Sequence, residues 1–259
     1  VTTSHQGAIT DDSRIAWYRN EGVVGEARFT RQEIATNAGG ALLELHDMDE
    51  DGDLDLLVPQ FFQGESLVWY EQTQASGMAW DKHVINDSTG RGFITRLADV
   101  NGDGREDIVF GNHNHQAHPD PDKQTMGIYW WEFPPASEVR DTAAWDARMH
   151  VLYEGFEMPE GSNPDQASAP GMLNVGDIDG DGDLDVTVSG DGDPGLYLLV
   201  QQADNEFELQ TLDMGYENSG AQYMVDLDGD CDQDILWAVF GPTPAGTSYA
   251  SQIFAFLQE

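Results

Sequence analysis

Short apolar runs recur along this chain in one order, each closed off by Gly, Asp or Asn. A first run (ALLELHD at 41–47, FITRLADV at 93–100, GMLNVGD at 171–177, AQYMVDL at 221–227) leads into an acidic cluster, and a second run follows at once (LDLLVPQF, EDIVFGN, LDVTVSG, DILWAVFG). A third, aromatic run comes next (LVWYEQ, GIYWWEF, GLYLLVQ, QIFAFLQ), then a fourth where the chain continues (WDKHVIN, WDARMHVLYE, EFELQTLD). Their length, their β-branched and aromatic content and their Gly-rich boundaries predict strands. A self-similar unit of four strands predicts an all-β fold, the four-stranded blades of a β-propeller.

The acidic clusters start at Asp47, Asp99, Asp177 and Asp226, intervals of 52, 78 and 49 residues, and the longest interval carries two insertions. The repeat divides the chain into a partial first blade (1–40), three blades (41–92, 93–170 and 171–220) and a partial last blade (221–259). Residues 1–20 align with the end of a second strand, a loop and a third strand, with RQEIA as the fourth, while the last unit stops at a third strand. The end units duplicate a third strand rather than complement each other. That favours about five blades of a larger ring over a closed five-bladed one.

Each cluster has the form Asp-x-Asp/Asn-x-Asp-x-x-x-Asp: DMDEDGDLD, DVNGDGRED, DIDGDGDLD and DLDGDCDQD. Carboxylates at alternate positions of a tight loop repel one another unless a hard cation sits between them, and oxygen-only donors favour calcium. An EF-hand would need a Glu at position 12 and flanking helices. Position 12 here is Val58, Phe110, Val188 or Trp237, inside a strand-like run, so Asp55, Asp107, Asp185 or Asp234 must finish the shell. The competing reading is a solvated acidic turn. The fourth copy differs in having Cys231 where the others place Gly52, Gly104 and Gly182, a position that favours a left-handed backbone.

Composition sharpens this picture. The 259 residues carry a formal charge of -37, from 48 acidic and 11 basic side chains, and twenty of the acids lie in the four loops. Four bound dications would leave -29, so the acidic surplus extends beyond the metal sites. Such a surface repels nucleic acid and anionic membranes and stays soluble in salt, as suits a marine or halophilic protein or a generic acidic secreted one. Cys231 is the sole cysteine, which excludes an intrachain disulfide and leaves stapling to calcium in a calcium-rich space outside the cell or on its surface. No apolar run reaches membrane-spanning length. The chain starts at Val1 with no signal peptide, which reads as a mature or cut form.

With its Asp-x-Asp-x-Asp-Gly-x-x-Asp loop placed before a strand, the chain resembles the FG-GAP or VCBS repeat family of calcium-binding propellers, which includes those of integrin α subunits. The resemblance covers nearly the whole chain. It implies three or four calcium ions, with side-chain ligands Asp47, Asp49, Asp51 and Asp55; Asp99, Asn101, Asp103 and Asp107; Asp177, Asp179, Asp181 and Asp185; and Asp226, Asp228, Asp230 and Asp234. Backbone carbonyls of Asp53, Arg105, Asp183 and Asp232 would add one ligand each. It says little of activity, because the family holds adhesins, lectin-like modules and enzymes.

Two function classes follow. One is an extracellular recognition, adhesion or structural module for glycan or protein, able to assemble with itself or with further domains. The other is a carbohydrate-active enzyme, a lyase or dehydratase. Its candidates are His113, His115 and His118, close enough in sequence to hold a transition metal, with help from Arg96, Glu44 or Tyr223 on the first strands. Loop histidines are commonly solvated and incidental, and their spacing matches no established zinc motif. Polar first-strand residues (Glu44, Arg96, Asn174, Tyr223) equally suit channel water. His83 and His150 hold matching fourth-strand places, after Trp80 and Trp145, and read as structural. The third-strand aromatics Trp69, Tyr70, Tyr129, Trp130 and Trp131 read first as packing and second as a sugar-stacking platform. No serine-nucleophile or phosphate-loop motif occurs.

Overall fold

The computed structural model describes residues 2–4, 14–40, 42–61, 65–74, 76–113, 125–156, 170–190, 195–213, 218–242 and 249–258. The fold is all-β: the described residues form five antiparallel sheets, each a meander in chain order. The first holds β1 (Thr2–Ser4), β2 (Arg14–Asn20) and β3 (Phe29–Thr36); the second β4 (Glu44–His46), β5 (Asp55–Pro59), β6 (Leu67–Gln72) and β7 (Trp80–Asn86). The third holds β8 (Gly92–Ala98), β9 (Asp107–Asn112), β10 (Gly127–Trp131) and β11 (Met149–Glu154). The fourth holds β12 (Leu173–Gly176), β13 (Asp185–Ser189), β14 (Gly195–Gln201) and β15 (Phe207–Asp213), and the fifth β16 (Asn218–Val225), β17 (Asp234–Pro242) and β18 (Tyr249–Phe256).

The chain forms two compact units, residues 1–93 with 134–147, and residues 94–133 with 148–259. In the first, Ile15 of β2, Leu56 and Val58 of β5 and Val68 and Tyr70 of β6 share one apolar cluster. In the second, Leu196, Leu198 and Val200 of β14 meet Ile235, Trp237 and Val239 of β17. Both sets step by two along the strand, so one face of each pleat is removed from water. Each such side chain contributes about 1.5 to 3 kcal/mol. β5, β9 and β13 are buried at every position, because they are interior strands covered on both faces.

Gln222, 2 % exposed, ties the fourth sheet to the fifth. Its Nε2 donates to the carbonyls of Met172 (3.2 Å) and Thr187 (3.0 Å), and its Oε1 accepts from Asn174 (2.7 Å) and Thr187 (2.8 Å). All its bonding capacity is used, so the burial carries no orphan penalty.

One predicted strand starts late. Trp145 and Asp146, expected at the head of a fourth strand, lie in a short helix, α1 (Thr142–Asp146), and β11 begins only at Met149. Asp141 caps the helix, its carboxylate accepting from Ala143 N at 3.0 Å, and Thr-Ala-Ala favours helix over strand. Trp145 is buried, its indole N–H donating to Val139 O (2.8 Å), and Thr142 Oγ1 donates to Val84 O (2.8 Å), which seats the 134–147 strap on β7.

The structural reading of the paired histidines holds. His83 stacks on Trp69 with centroids 4.6 Å apart and bonds Glu71 at 2.8 Å; His150 stacks on Trp130 at 4.2 Å and bonds Glu132 at 3.0 Å. Trp69, Tyr70, Tyr129, Trp130 and Trp131 are all buried, which makes them packing rather than a platform.

Candidate metal centres

Every acidic loop closes a first strand onto a second, and all four are built by one set of local hydrogen bonds. In loop 1, Asp47 accepts from Asp51 N (3.0 Å) and Gly52 N (3.0 Å), and Asp51 accepts from Asp53 N (2.9 Å). In loop 2, Asp99 accepts from Asp103 N (3.0 Å) and Gly104 N (2.8 Å), Asn101 from Asp103 N (3.0 Å) and Asp103 from Arg105 N (2.9 Å). In loop 3, Asp177 accepts from Gly182 N (3.0 Å) and Asp181 from Asp183 N (2.9 Å); in loop 4, Asp226 accepts from Cys231 N (3.2 Å) and Asp230 from Asp232 N (3.3 Å). Short acidic side chains bonding their own backbone fold each loop back on itself.

The fifth carboxylate does more than the sequence suggests. Asp55 accepts from Met48 N (2.9 Å) on one oxygen and from Gln72 N (2.8 Å) on the other; Asp185 does the same with Ile178 N (2.7 Å) and Gln201 N (2.8 Å), and Asp234 with Leu227 N (2.8 Å) and Gln258 N (3.0 Å). Asp107 accepts from Val100 N at 3.1 Å. In loops 1, 3 and 4 this residue fastens the loop to the end of the third strand, and any metal ligation is additional. Burial pushes Asp55 up from 3.8 to about 6 and Asp107 to about 7, against the lowering effect of the backbone donors; it raises Asp185 as well.

Ligand oxygens of Asp47, Asp49 and Asp55 lie within 4.8 Å of one another, as do those of Asp177, Asp179 and Asp185, and of Asp226, Asp228 and Asp230. In loop 2 the neutral Asn101 stands where the others carry a carboxylate. Three converging carboxylate oxygens, with no nitrogen or sulfur donor, fit calcium, whose larger shell backbone carbonyls complete.

Cys231 has φ of +82°, matching Gly52 (+95°), Gly104 (+89°) and Gly182 (+97°). A side chain in this region costs about 1 to 2 kcal/mol. Cys231→Gly is expected to gain about 1 kcal/mol in a denaturant titration with calcium present; an unchanged midpoint would show that the thiol repays the strain.

The proposed enzymatic residues do not form a described cluster. His113 is 7 % exposed and its Nδ1 lies 3.1 Å from Pro170 O; His115 and His118 lie outside the described residues. Arg96 Nη1 donates to the carbonyl of Thr95 (2.9 Å), Glu44 is half-buried, and Tyr223 is 65 % exposed. The neighbouring Gln222 turns inward instead, by strand alternation.

Two features went unread in the sequence. Arg140, on the 134–147 strap, forks onto Glu71 with two 2.8 Å bonds and also donates to Asp49 of loop 1; the guanidinium holds the Glu71 carboxyl below its usual range. In the first unit, Trp17, Ile34, Leu45, Leu56 and Trp80 line a pocket of about 230 Å³ with Gln72 and Ser76 at its edge. Both indole N–H groups donate to Gly77 O, at 2.9 and 3.0 Å, and Arg19 lies 5.3 Å over the Trp17 ring. No helix among the described residues is long and apolar enough to cross a membrane.

No protein-family model matches the chain, and no curated protein matches it in sequence. Among solved structures it is similar to an Agrocybe aegerita lectin described as recognising non-reducing terminal N-acetylglucosamine, at 16% identity and a TM-score of 0.45 over 95% of this chain and 63% of that one. It therefore spans less than two thirds of the lectin chain's length. A chain from the complex of BBS1N with ARL6DN is also similar, at 13% identity and a TM-score of 0.28, over 80% of this chain and 77% of that one.

Proposed function

We propose that this chain is a run of calcium-stabilised β-propeller blades of the FG-GAP or VCBS type, working outside the cell in recognition or adhesion of a glycan or protein. The observation that carries the reading is the fourfold recurrence of one loop hydrogen bond, from the sixth residue's N–H to the first aspartate, with three carboxylates converging in loops 1, 3 and 4. Neighbouring carboxylates in such loops favour a cation between them, and a single free cysteine leaves ions as the available staple. The pocket walled by Trp17 and Trp80 is the recognition surface we assign, since an indole face takes the apolar face of a sugar ring and Gln72 and Ser76 offer hydrogen bonds.

Elemental analysis after dialysis into trace-metal-free calcium buffer tests the first half. Three or four calcium ions per chain are expected, and less than one would end the reading. Tryptophan emission of the loaded protein against a panel of glycans tests the second, with the response expected to disappear in Trp80→Ala.

A further inference from the structure

The third position of the metal loop differs among the four copies in how its charge is balanced. Loop 3 has Asp179 there and loop 4 has Asp228, and among the described residues neither has a basic partner. Loop 2 has the neutral Asn101. Loop 1 has Asp49, whose side chain is only 3 % exposed and carries the Arg140 guanidinium on Oδ2, while its Oδ1 accepts from Asp51 N at 3.3 Å. Arg140 is no stray surface side chain. Its planar fork is spent on Glu71 of β6, next to Gln72, whose N–H holds Asp55, and its strap is fixed on β7 by Thr142 and Trp145.

We propose that Arg140 is an affinity-setting residue for calcium at loop 1: a built-in cation that neutralises Asp49, keeps the metal-free loop folded and makes this site weaker than loops 3 and 4. The inference rests on the calcium reading above. A fixed positive charge beside a ligand carboxylate relieves the repulsion that drives metal uptake, and it competes with the ion for the same carboxylate. Calcium affinity follows ligand charge count, so the four loops divide into a tight pair and a weak pair. The chain then responds to calcium in two ranges rather than one, and the strap reports the filling of the first unit's loop.

Competition titration of calcium against a chromophoric chelator, with thermal midpoints in calcium and in excess chelator, tests this on the full chain. Arg140→Gln is expected to tighten one site on the order of tenfold, to leave the others unchanged and to lower the metal-free midpoint. Arg140→Lys, which keeps the charge and loses the fork, stays near the parent affinity. Thr142→Val loosens the strap but leaves the Arg140 fork on Glu71, and is expected to lower both midpoints with affinity near the parent's. In an Asp47→Asn background the effect of Arg140→Gln disappears, which places it at loop 1. Unchanged affinities in Arg140→Gln, or a weakened site, overturn the proposal while leaving the calcium reading intact. A parent chain that takes up no calcium overturns both.

Discussion

Stripping the ions with excess chelator is expected to lower the thermal midpoint of this protein by roughly 20 °C. An ion that binds only the folded chain stabilises it by about 2.7 kcal/mol when its concentration is a hundredfold above Kd. Three such ions supply several times what one surface interaction can, and the shift follows from the entropy of unfolding a chain of this size. The stripped protein is also expected to show an unusual pH dependence. Asp55 and Asp107, at about 6 and about 7 against an ordinary 3.8, bind protons in the folded state that the unfolded state has already released. Their contribution is therefore fully present below about pH 4 and lost as pH rises through 6 to 7. Calcium takes the protons' place, so the loaded protein should hold its midpoint across that window. Calorimetry at pH 4.5 and 7.5, with and without chelator, checks both statements, and equal midpoints in calcium and chelator at pH 7.5 would sink the metal assignment.

The strand meander was legible because strand alternation and Gly-bounded loops are local signals, repeated often enough to confirm one another. The acidic loops between first and second strands were legible for the same reason, and Cys231 even announced its positive φ by standing in a glycine's place. What escaped notice depends on contacts between distant residues. Arg140 lies 91 positions from Asp49, in an insertion with no periodicity of its own. Nothing in the run AQYMVDL sets Gln222 apart, and only tertiary packing reveals that its side chain makes four hydrogen bonds with three residues. Trp145 matched Trp80 in spacing, yet the cap at Asp141 drew it into a helix. His113 attracted notice as a member of a histidine-rich run, whereas its own environment is that of a buried side chain.

The loops also contain a distinction that substitution can expose, between aspartates that bond only within their own loop and the one that staples. Asp185 is fully buried and holds Ile178 N and Gln201 N, one on each oxygen. Hydrogen bonds to a charged acceptor contribute about 1.5 to 3 kcal/mol each, and losing the acceptor strands two buried donors. Asp185→Ala is thus expected to cost about 4 kcal/mol in denaturant titrations even with chelator present. Asp181, by contrast, accepts only from Asp183 N within its own loop. Without metal, Asp181→Asn removes one of several crowded charges and should be neutral or slightly stabilising; with calcium it should destabilise, because a ligand has lost its charge. A loss for Asp185→Ala that is large in calcium but vanishes in chelator would make it a ligand alone. A loss that persists makes the fifth aspartate the reason loops 1, 3 and 4 stay joined to their third strands, so that an ion would settle into a frame the backbone has already closed.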